Sequence, residues 1–120
     1  MEKRQFGKTD MQVSVLGFGG SEIGFEEADE TTVERLLGRA LDAGLNVIDT
    51  GECYRNGEEL IGKTVGHRRD EFYLFTKCGH PHGIESSANG SAGSLLESIE
   101  RSPRRLQTDR LDLVHLHSSP

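Results

Sequence analysis

The first twenty residues show the two-residue alternation of hydrophobic and polar side chains that is typical of β-strands, and a polar turn divides them. Residues 3–6 precede the turn at residues 7–10, and residues 11–15 alternate again, which predicts a short hairpin. Residues 16–20 continue as a strand that ends in glycines. The chain is therefore expected to start with β structure.

Residues 31–44 change from the two-residue period to the period of an α-helix. Apolar side chains recur at spacings of i, i+3, i+4, i+7 and i+8, at Val33, Leu36, Leu37, Ala40 and Leu41. Thr31 together with Glu34 predicts a capping box at the start of this helix, and Gly44 predicts its end. The acidic residues at positions 26–30 are interpreted as a solvated lead into the helix.

The remaining hydrophobic segments alternate between strands and helices. Residues 46–50 and 72–77 are apolar runs rich in β-branched or aromatic residues and predict two strands. Between them, residues 58–66 begin with two glutamates and end in a glycine, which suits the dipole and the carboxyl-terminal cap of a helix. A loop rich in glycine and serine at residues 83–94 leads to a third helix, and residues 111–117 predict a last strand.

Pro103 falls inside the third predicted helix. The apolar positions of that helix are Leu95, Leu96, Ile99 and Leu106. A proline in a helix interior removes a backbone hydrogen-bond donor and costs about 3 kcal/mol. We therefore expect this helix to kink or break near Ser102.

Because a helix separates each pair of successive strands, the sequence predicts a parallel sheet with right-handed crossovers. Strands joined in this way form either an open doubly wound sheet or half of a closed barrel. A nucleotide fingerprint of the GxGxxG type does not follow the first strand, where the glycines of residues 16–20 are only a weak signal. This pattern favours the barrel.

Composition and charge narrow the class of protein. A chain of 120 residues suits one domain, and 33% hydrophobic residues together with 15 glycines reach the apolar share that is usual for globular proteins. The formal net charge of -6 argues against a nucleic-acid or anionic-membrane partner. The two cysteines form no CxxC motif and no apolar leader precedes the domain, so we expect a reducing, cytoplasmic setting.

Ionisable side chains end or follow several of the predicted strands. Asp49 ends the second strand, Lys77 ends the third and His117 ends the fourth, while Tyr54 follows Asp49 closely. Because the carboxyl ends of parallel strands form one face, we expect these four side chains to meet there.

These four residue types together make sense as a proton-transfer site. A tyrosine has an ordinary pKa of about 10 and is a poor acid at neutral pH unless a cation stabilises its phenolate, a role that suits Lys77. Asp49 would orient Lys77 as an ion pair, and His117 would hydrogen-bond a substrate carbonyl oxygen or share the proton with Tyr54. The expected reaction is protonation of an oxyanion while another group attacks the carbon.

Several ordered motifs closely resemble the signatures of aldo-keto reductases. They are DTGECY at residues 49–54, NGEELIG at residues 56–62, FTK at residues 75–77 and LDLVHLH at residues 111–117. Residues 6–10 and 16–20 are similar to the opening hairpin and first strand of that family. The resemblance runs through essentially the whole chain.

The resemblance implies the amino-terminal half of a (β/α)8 TIM barrel, with four parallel strands, three helices and an amino-terminal β-hairpin. It implies an NADPH-dependent oxidoreductase that reduces a small aldehyde or ketone to an alcohol, with Tyr54 as the general acid. The catalytic residues that it implies are Asp49, Tyr54, Lys77 and His117. The cofactor-binding residues that it implies, near the nicotinamide and its ribose, are Gly20, Ser21 and Asp49.

The chain differs from that family in length. A complete barrel takes about 250 residues, so residues 1–120 predict a partial barrel domain truncated after strand 4. The later strands and loops that bind the adenosine phosphate of the cofactor in the family have no counterpart in these residues. The exposed edges of the first and fourth strands favour self-association. Two functions stay open: a carbonyl reductase present as a fragment, and a non-catalytic or partner-dependent half-barrel remnant.

Two alternatives concern individual histidines. His115 lies on the same side of its strand as His117 by two-residue alternation, so it competes for the same role, although the family pattern favours His117. Cys78, His80 and His82 lie close together and could hold zinc with a further ligand. Their spacing fits no standard zinc site, and we predict that the chain binds no metal.

Overall fold

The computed structural model describes residues 1–79 and 91–117. Within them a two-stranded hairpin precedes a four-stranded sheet whose strands are joined by helices. The strands are β1 (Lys3–Gln5), β2 (Gln12–Ser14), β3 (Phe18–Gly19), β4 (Val47–Asp49), β5 (Tyr73–Cys78) and β6 (Leu113–Leu116). The helices are α1 (Ser21–Phe25), α2 (Glu30–Asp42), α3 (Gly57–Val65) and α4 (Ala92–Leu106), with a 3-10 helix at Gly66–Glu71.

The four-stranded sheet has the order β3-β4-β5-β6, and every neighbouring pair is parallel. Strands that are successive in sequence are therefore neighbours in space, which is the order found around a barrel. The register pairs Gly19 with Asp49 and Lys77 with His115. The carboxyl ends of all four strands consequently lie along one edge, as the sequence predicts.

The predicted hairpin is present and lies at the opposite end of the sheet. Its strands β1 and β2 are antiparallel, with Arg4 opposite Val13. Asn46, just before β4, accepts the Ser14 N–H at 2.7 Å and donates its side-chain amide to the Gln12 carbonyl at 2.8 Å. This contact ties the hairpin to the amino-terminal end of β4.

The apolar core lies between the sheet and helices α2 and α3. Helix α2 contributes Val33, Leu37 and Leu41 of its predicted stripe, and α3 contributes Ile61. These side chains pack with Ile48 of β4 and Leu74 of β5, each of which is almost wholly excluded from solvent. The pattern of apolar positions thus identifies the buried face of α2 except at Leu36, which is 48% exposed and was wrongly included.

The start of α2 differs from the prediction. Asp29 caps the helix, because its Oδ1 accepts the Thr32 backbone N–H at 2.8 Å, and this hydrogen bond lowers the pKa of Asp29. The predicted capping box of Thr31 and Glu34 is therefore wrong, and Asp29 is more than a solvated acidic residue. The predicted end is close to the observed one, since Gly44 takes a left-handed φ of 96° just beyond α2.

Helix α1 was not predicted from the sequence. It has five residues, which is too short for hydrophobic periodicity to identify. Its Gly24 lies so close to the loop after β4 that a Cβ there would be 1.7 Å from the Tyr54 carbonyl oxygen. The glycine is needed for this close approach of two backbone segments.

Helix α4 continues through Pro103, so the expected break near Ser102 is wrong, while a kink there stays a prediction. Pro103 lies in the last turn of the helix, which ends where Gln107 adopts a left-handed φ of 54°. Arg101 and Arg105, on either side of the proline, both form ion pairs with buried carboxylates. These contacts hold this part of the helix against its neighbours.

The face of α4 that turns inward is mainly polar, unlike the predicted apolar stripe. Ser98, Ser102 and Leu106, spaced four residues apart, are buried. Leu96 is 58% exposed, and Ile99 is only half-buried. The leucines therefore predicted the existence of this helix but not which of its faces is buried.

The predicted loop at residues 83–94 lies mostly outside the described residues. Its last part is helical, because α4 starts at Ala92 with Ser91 as its cap. The Ser91 hydroxyl oxygen accepts the Ser94 backbone N–H at 3.2 Å. In the described parts of the chain, none of the helices has the length and apolar character needed to span a bilayer.

Candidate active site

The side chains predicted to meet at the carboxyl ends of the strands do lie on that edge. Asp49 is the last residue of β4, Lys77 the penultimate residue of β5, and Tyr54 lies in the loop between β4 and α3. His117 directly follows β6, where its backbone N–H donates to the Cys78 carbonyl at 2.9 Å. Three adjacent strands thus bring four ionisable groups to one rim.

Lys77 forms the centre of this group. Its Nζ donates to Asp49 Oδ1 at 3.1 Å and to the Thr50 carbonyl at 2.7 Å. The Lys77 side chain is 16% exposed and that of Asp49 is 37% exposed, so the pair is partly shielded from water. The predicted orientation of Lys77 by Asp49 is present in the structure.

The Tyr54 ring is held between three other groups. Lys77 Nζ lies 4.9 Å from the ring centroid, which is within cation–π distance. The His117 ring meets Tyr54 edge-on at 5.9 Å between centroids, and Phe25 of α1 meets it at 5.5 Å. Gly51 completes the contact, because a Cβ there would lie 3.2 Å from ring carbons of Tyr54.

The structure separates the two candidate histidines. His117 lies against Tyr54, whereas the His115 ring packs on Phe75 at a centroid distance of 6.4 Å. His115 is also exposed. The geometry therefore favours His117 over His115 as the partner of Tyr54.

Cys53 is a neighbour of the site that sequence reasoning missed. Its Sγ lies 3.4 Å from Nδ1 of His117. Burial raises the pKa of the Cys53 thiol, so the group is neutral at physiological pH. The signal in the sequence was that Cys53 directly precedes Tyr54, but the conformation of the loop decides where the Cys53 side chain points. The thiol packs beside the histidine rather than adding a charge.

The alternative zinc site is only partly within the described residues. Cys78 is buried and unbridged, and burial raises the pKa of its thiol. His80 and His82 lie outside the described residues. Within those that are described, no group of three or more His, Cys, Asp or Glu side chains is arranged to hold a metal ion.

Two buried glutamates behind the rim were also not predicted as part of the site. The side chains of Glu52 and Glu58 are each only 1% exposed. Glu52 forms ion pairs with Arg101 and Arg105 of α4, and Glu58 forms one with Arg105. The first glutamate lies inside the motif that carries Tyr54, and the second was interpreted only as a favourable charge at a helix start. The i, i+4 spacing of the two arginines was the signal that could have connected them.

Gly20 and Ser21 lie on the same rim beside Asp49. The Gly20 N–H donates to the Asp49 carbonyl at 2.7 Å, and a Cβ at position 20 would lie 3.1 Å from that oxygen. Ser21 begins α1 and is half-buried. The three residues predicted to bind the cofactor therefore lie together on the rim.

Comparison with known proteins identifies relatives of this chain. The model of the Aldo/keto reductase family matches residues 15–120. The uncharacterized oxidoreductase YqkF of Bacillus subtilis is 32% identical over 122 residues, which cover 98% of this chain and 39% of that protein. The chain therefore spans about two fifths of the length of this relative.

Two solved structures are similar over nearly all of the described fold. The holo form of the aldo-keto reductase AKR11C1 from Bacillus halodurans is similar with a TM-score of 0.84 at 35% identity. The match covers all of this chain and 41% of the AKR11C1 chain. An aldo-keto reductase from Klebsiella pneumoniae in complex with NADPH has a TM-score of 0.76 at 31% identity, over 91% of this chain and 37% of that one. The predicted fold, the amino-terminal half of a (β/α)8 barrel, is confirmed.

Proposed function

Because this chain belongs to the aldo/keto reductase family, we propose that it carries the proton-transfer site of an NADPH-dependent oxidoreductase that reduces an aldehyde or ketone to an alcohol. NADPH supplies the hydride when it is bound. Tyr54 donates its hydroxyl proton to the carbonyl oxygen, and the four residues on the rim provide the electrostatic setting for that transfer.

The contact between Lys77, Tyr54 and His117 carries this proposal. Proton donation leaves a phenolate on Tyr54, and the Lys77 ammonium 4.9 Å from the ring centroid stabilises that charge. Asp49 keeps Lys77 in place through the 3.1 Å ion pair. His117, against the ring at 5.9 Å, can hydrogen-bond the substrate oxygen and orient it toward the phenol.

Gly20, Ser21 and Asp49 are proposed to hold the nicotinamide riboside end of the cofactor. The Asp49 carboxylate can accept a hydrogen bond from a ribose hydroxyl while its Oδ1 receives Lys77. Gly20 lets the cofactor approach the backbone, since it carries no Cβ. The NADPH complex of the Klebsiella pneumoniae relative supports this choice of cofactor.

The test is a titration with NADPH, followed by turnover on a panel of aldehydes and ketones. The chain has 2 tyrosines and no tryptophan, so cofactor fluorescence is free of indole overlap. We expect Tyr54→Phe to reduce the rate of carbonyl reduction by about 10²–10⁴-fold while NADPH still binds. Tyr73→Phe is the matched control, because Tyr73 lies at the hairpin end of β5, where its hydroxyl accepts the Gln12 N–H. Equal rates for the two variants would refute the role of Tyr54.

A second candidate function is that of a half-barrel that needs a partner, and a second copy of this chain is the partner that we propose. The edges of the described sheet are β3 and β6, and Leu116 on β6 is 58% exposed. Open strand edges with apolar side chains favour pairing with another chain. Size-exclusion chromatography with light scattering separates the two candidates. A lone monomer that binds NADPH tightly would refute the dependence on a partner, and Leu116→Lys should shift any dimer toward monomer.

We also propose a cytoplasmic location and small-molecule substrates, without nucleic-acid or membrane partners. The two free cysteines are compatible with a reducing compartment. The net charge of -6 disfavours polyanionic partners.

A further inference from the structure

A cluster of ionic side chains joins α3, α4 and the loop that carries Tyr54, and its two carboxylates are buried. We name it the carboxylate–arginine cluster, and its members are Glu52, Glu58, Arg101 and Arg105. Hydroxyl groups of Ser98 and Thr76 bond to its carboxylates. The cluster is outside the group of residues to which the proposed reaction assigns a role.

Glu52 connects the loop that carries Tyr54 to α4. Its Oε1 lies 2.6 Å from Arg101 Nε and 3.3 Å from Arg105 Nη1, and its Oε2 accepts the Ser98 hydroxyl. The Glu52 side chain is 1% exposed, so these bonds are made in a medium that screens charge weakly. The loop two residues before Tyr54 is therefore fixed to one helix by directional bonds.

Glu58 connects the same helix to the strand that carries Lys77. Its Oε2 accepts the Thr76 hydroxyl at 2.8 Å, and its Oε1 lies 3.2 Å from Arg105 Nη1. Burial raises the pKa of Glu58, whereas the bonds from Ser102, Thr76 and Arg105 oppose that rise. Thr76 directly precedes Lys77, so the cluster reaches both partners of the proposed proton transfer.

A second link closes the connection between the loop and the strand. The Glu52 backbone N–H donates to the Lys77 carbonyl at 3.4 Å. Gly51, the residue before Glu52, lies under the Tyr54 ring. A shift of Glu52 would therefore move both the support of the ring and the backbone of Lys77.

Stability alone does not account for a cluster of this kind. Removing two carboxylates from water is costly, and replacing buried ion pairs by apolar residues of similar volume is often neutral or stabilising. Apolar residues in the same place would not fix the orientation of the loop and the helix, because hydrophobic contacts are not directional.

We infer that Glu52, held by Arg101, is a positioning residue that sets the Tyr54 ring against Lys77. This inference rests on the proposed function for its catalytic meaning, but the geometry that it predicts can be measured without cofactor or turnover. If the cluster had a purely structural role, a substitution that weakens it would lower the stability of the protein. The environment of the Tyr54 ring would then stay unchanged.

The test uses the nuclear magnetic resonance signals of the Tyr54 ring in a Tyr73→Phe background, where Tyr54 is the remaining tyrosine. The rings of Phe25 and His117, at 5.5 Å and 5.9 Å, displace these signals from their random-coil positions. We expect Arg101→Met to move the Tyr54 ring signals at least halfway to random coil, well below the melting temperature. Arg101 is 29% exposed, and methionine preserves its apolar stem.

Arg68→Met is the matched control. Arg68 has a similar exposure of 21% and forms ion pairs with Asp42 at 2.8 Å and Glu71 at 2.7 Å, at the far end of the sheet. This variant should lose stability and keep the Tyr54 signals unchanged. Arg101→Lys, which retains the charge but loses the planar guanidinium, should restore part of the displacement.

The outcomes are distinct. Unchanged Tyr54 signals in Arg101→Met, with a lowered melting temperature, would overturn the positioning role. If Arg101→Met does not fold, Arg101→Lys decides, since a folded protein with unchanged Tyr54 signals contradicts the inference in the same way. Failure of the original chain to bind NADPH would refute the proposed function and leave this result unaffected.

Discussion

Helices α2 and α4 both pack against α3, but they do so by different chemistry. Helix α2 meets α3 through Val33, Leu37 and Leu41, all buried and apolar. Helix α4 meets α3 and β5 through Ser98 and Ser102 and through arginines that pair with buried glutamates. The first interface is apolar, whereas the second, apart from Leu106, consists of hydroxyl groups and paired charges.

The difference matters because the two kinds of interface constrain the chain differently. Apolar packing tolerates small displacements, since its free energy depends mainly on the area removed from water. Hydrogen bonds between charged groups weaken steeply with distance and angle, so they fix position more sharply. The interface with the sharper constraint is the one beside Tyr54 and Lys77, which suits a site that needs precise geometry.

The largest expected effect is on the apolar interface. Leu37→Ala should reduce the free energy of unfolding by about 2–5 kcal/mol, because it leaves a cavity in a fully buried position. Leu36→Ala is the control, since Leu36 is 48% exposed, and it should change stability by less than about 1 kcal/mol. Urea denaturation measures both variants. Similar losses in the two would contradict the assignment of the buried face.

A close crossing of α3 and α4 gives the next largest effect. A Cβ at Gly62 would lie 2.7 Å from the Arg105 carbonyl oxygen, so Gly62→Ala should destabilise by about 1–3 kcal/mol. A Cβ at Gly93 meets nothing within 4 Å, and Gly93→Ala should stabilise by up to about 1 kcal/mol through helix propensity. Thermal unfolding of both variants gives the comparison. A stable Gly62→Ala protein would mean that the helices cross less closely.

Substitution of Pro103 measures how much the proline destabilises α4. Because the helix runs through this position, Pro103→Leu should restore a backbone donor and raise stability by about 1 kcal/mol, less than the ~3 kcal/mol of a helix interior. Melting temperature is the measurement. Pro103→Ala separates the backbone effect from side-chain packing. The absence of any gain in both variants would show that the helix does not benefit from the missing hydrogen bond.

The smallest expected effect is the pH dependence of the free energy of unfolding that the buried glutamate Glu58 contributes. Burial raises the pKa of Glu58 above its unfolded value of 4.5, so the folded protein binds the proton more tightly. The contribution of Glu58 to stability therefore falls as pH rises from about 4.5 through the folded pKa. The stability difference between the original chain and Glu58→Gln should decrease over this range in urea titrations.

Glu71 provides a control of opposite sign. Its hydrogen bond with Arg68 lowers the pKa of Glu71 below the unfolded value of 4.5, so its contribution is present above that pH and is lost as pH falls. The stability difference between the original chain and Glu71→Gln should therefore increase with pH, below about 4.5. The same direction of change in both variants would contradict the environments of the two glutamates.

Elements that depend on interactions between residues close in sequence were predicted better than those that depend on distant contacts. The hairpin, the parallel strands and helices α2 and α3 were predicted because each has a local hydrophobic period or a turn signal. Helix α1 has five residues and too few positions for a period. The cap of α2 was placed on Thr31 instead of Asp29, since several nearby residues can accept the same backbone N–H and only the backbone conformation selects one.

The candidate site shows the same division. Asp49, Tyr54, Lys77 and His117 could be chosen from the sequence because they follow strands and match motifs of one family. The contacts of Cys53 with His117 and of Glu52 with Arg101 could not, because their partners are distant in the chain. Alternation within one strand also did not separate His115 from His117, a choice that depends on what faces each side chain.

The sequence by itself determined the order of the strands and of helices α2, α3 and α4, the apolar face of α2 apart from Leu36, and the set of ionisable residues at the strand ends. These properties follow from periodicity and from the direction of parallel strands, both of which are local. The tertiary structure alone decided that α4 continues through Pro103 and that its buried face is polar. The physical reason is that directional bonds between Glu52, Glu58 and the α4 arginines join segments that are far apart in sequence, and no local pattern encodes them.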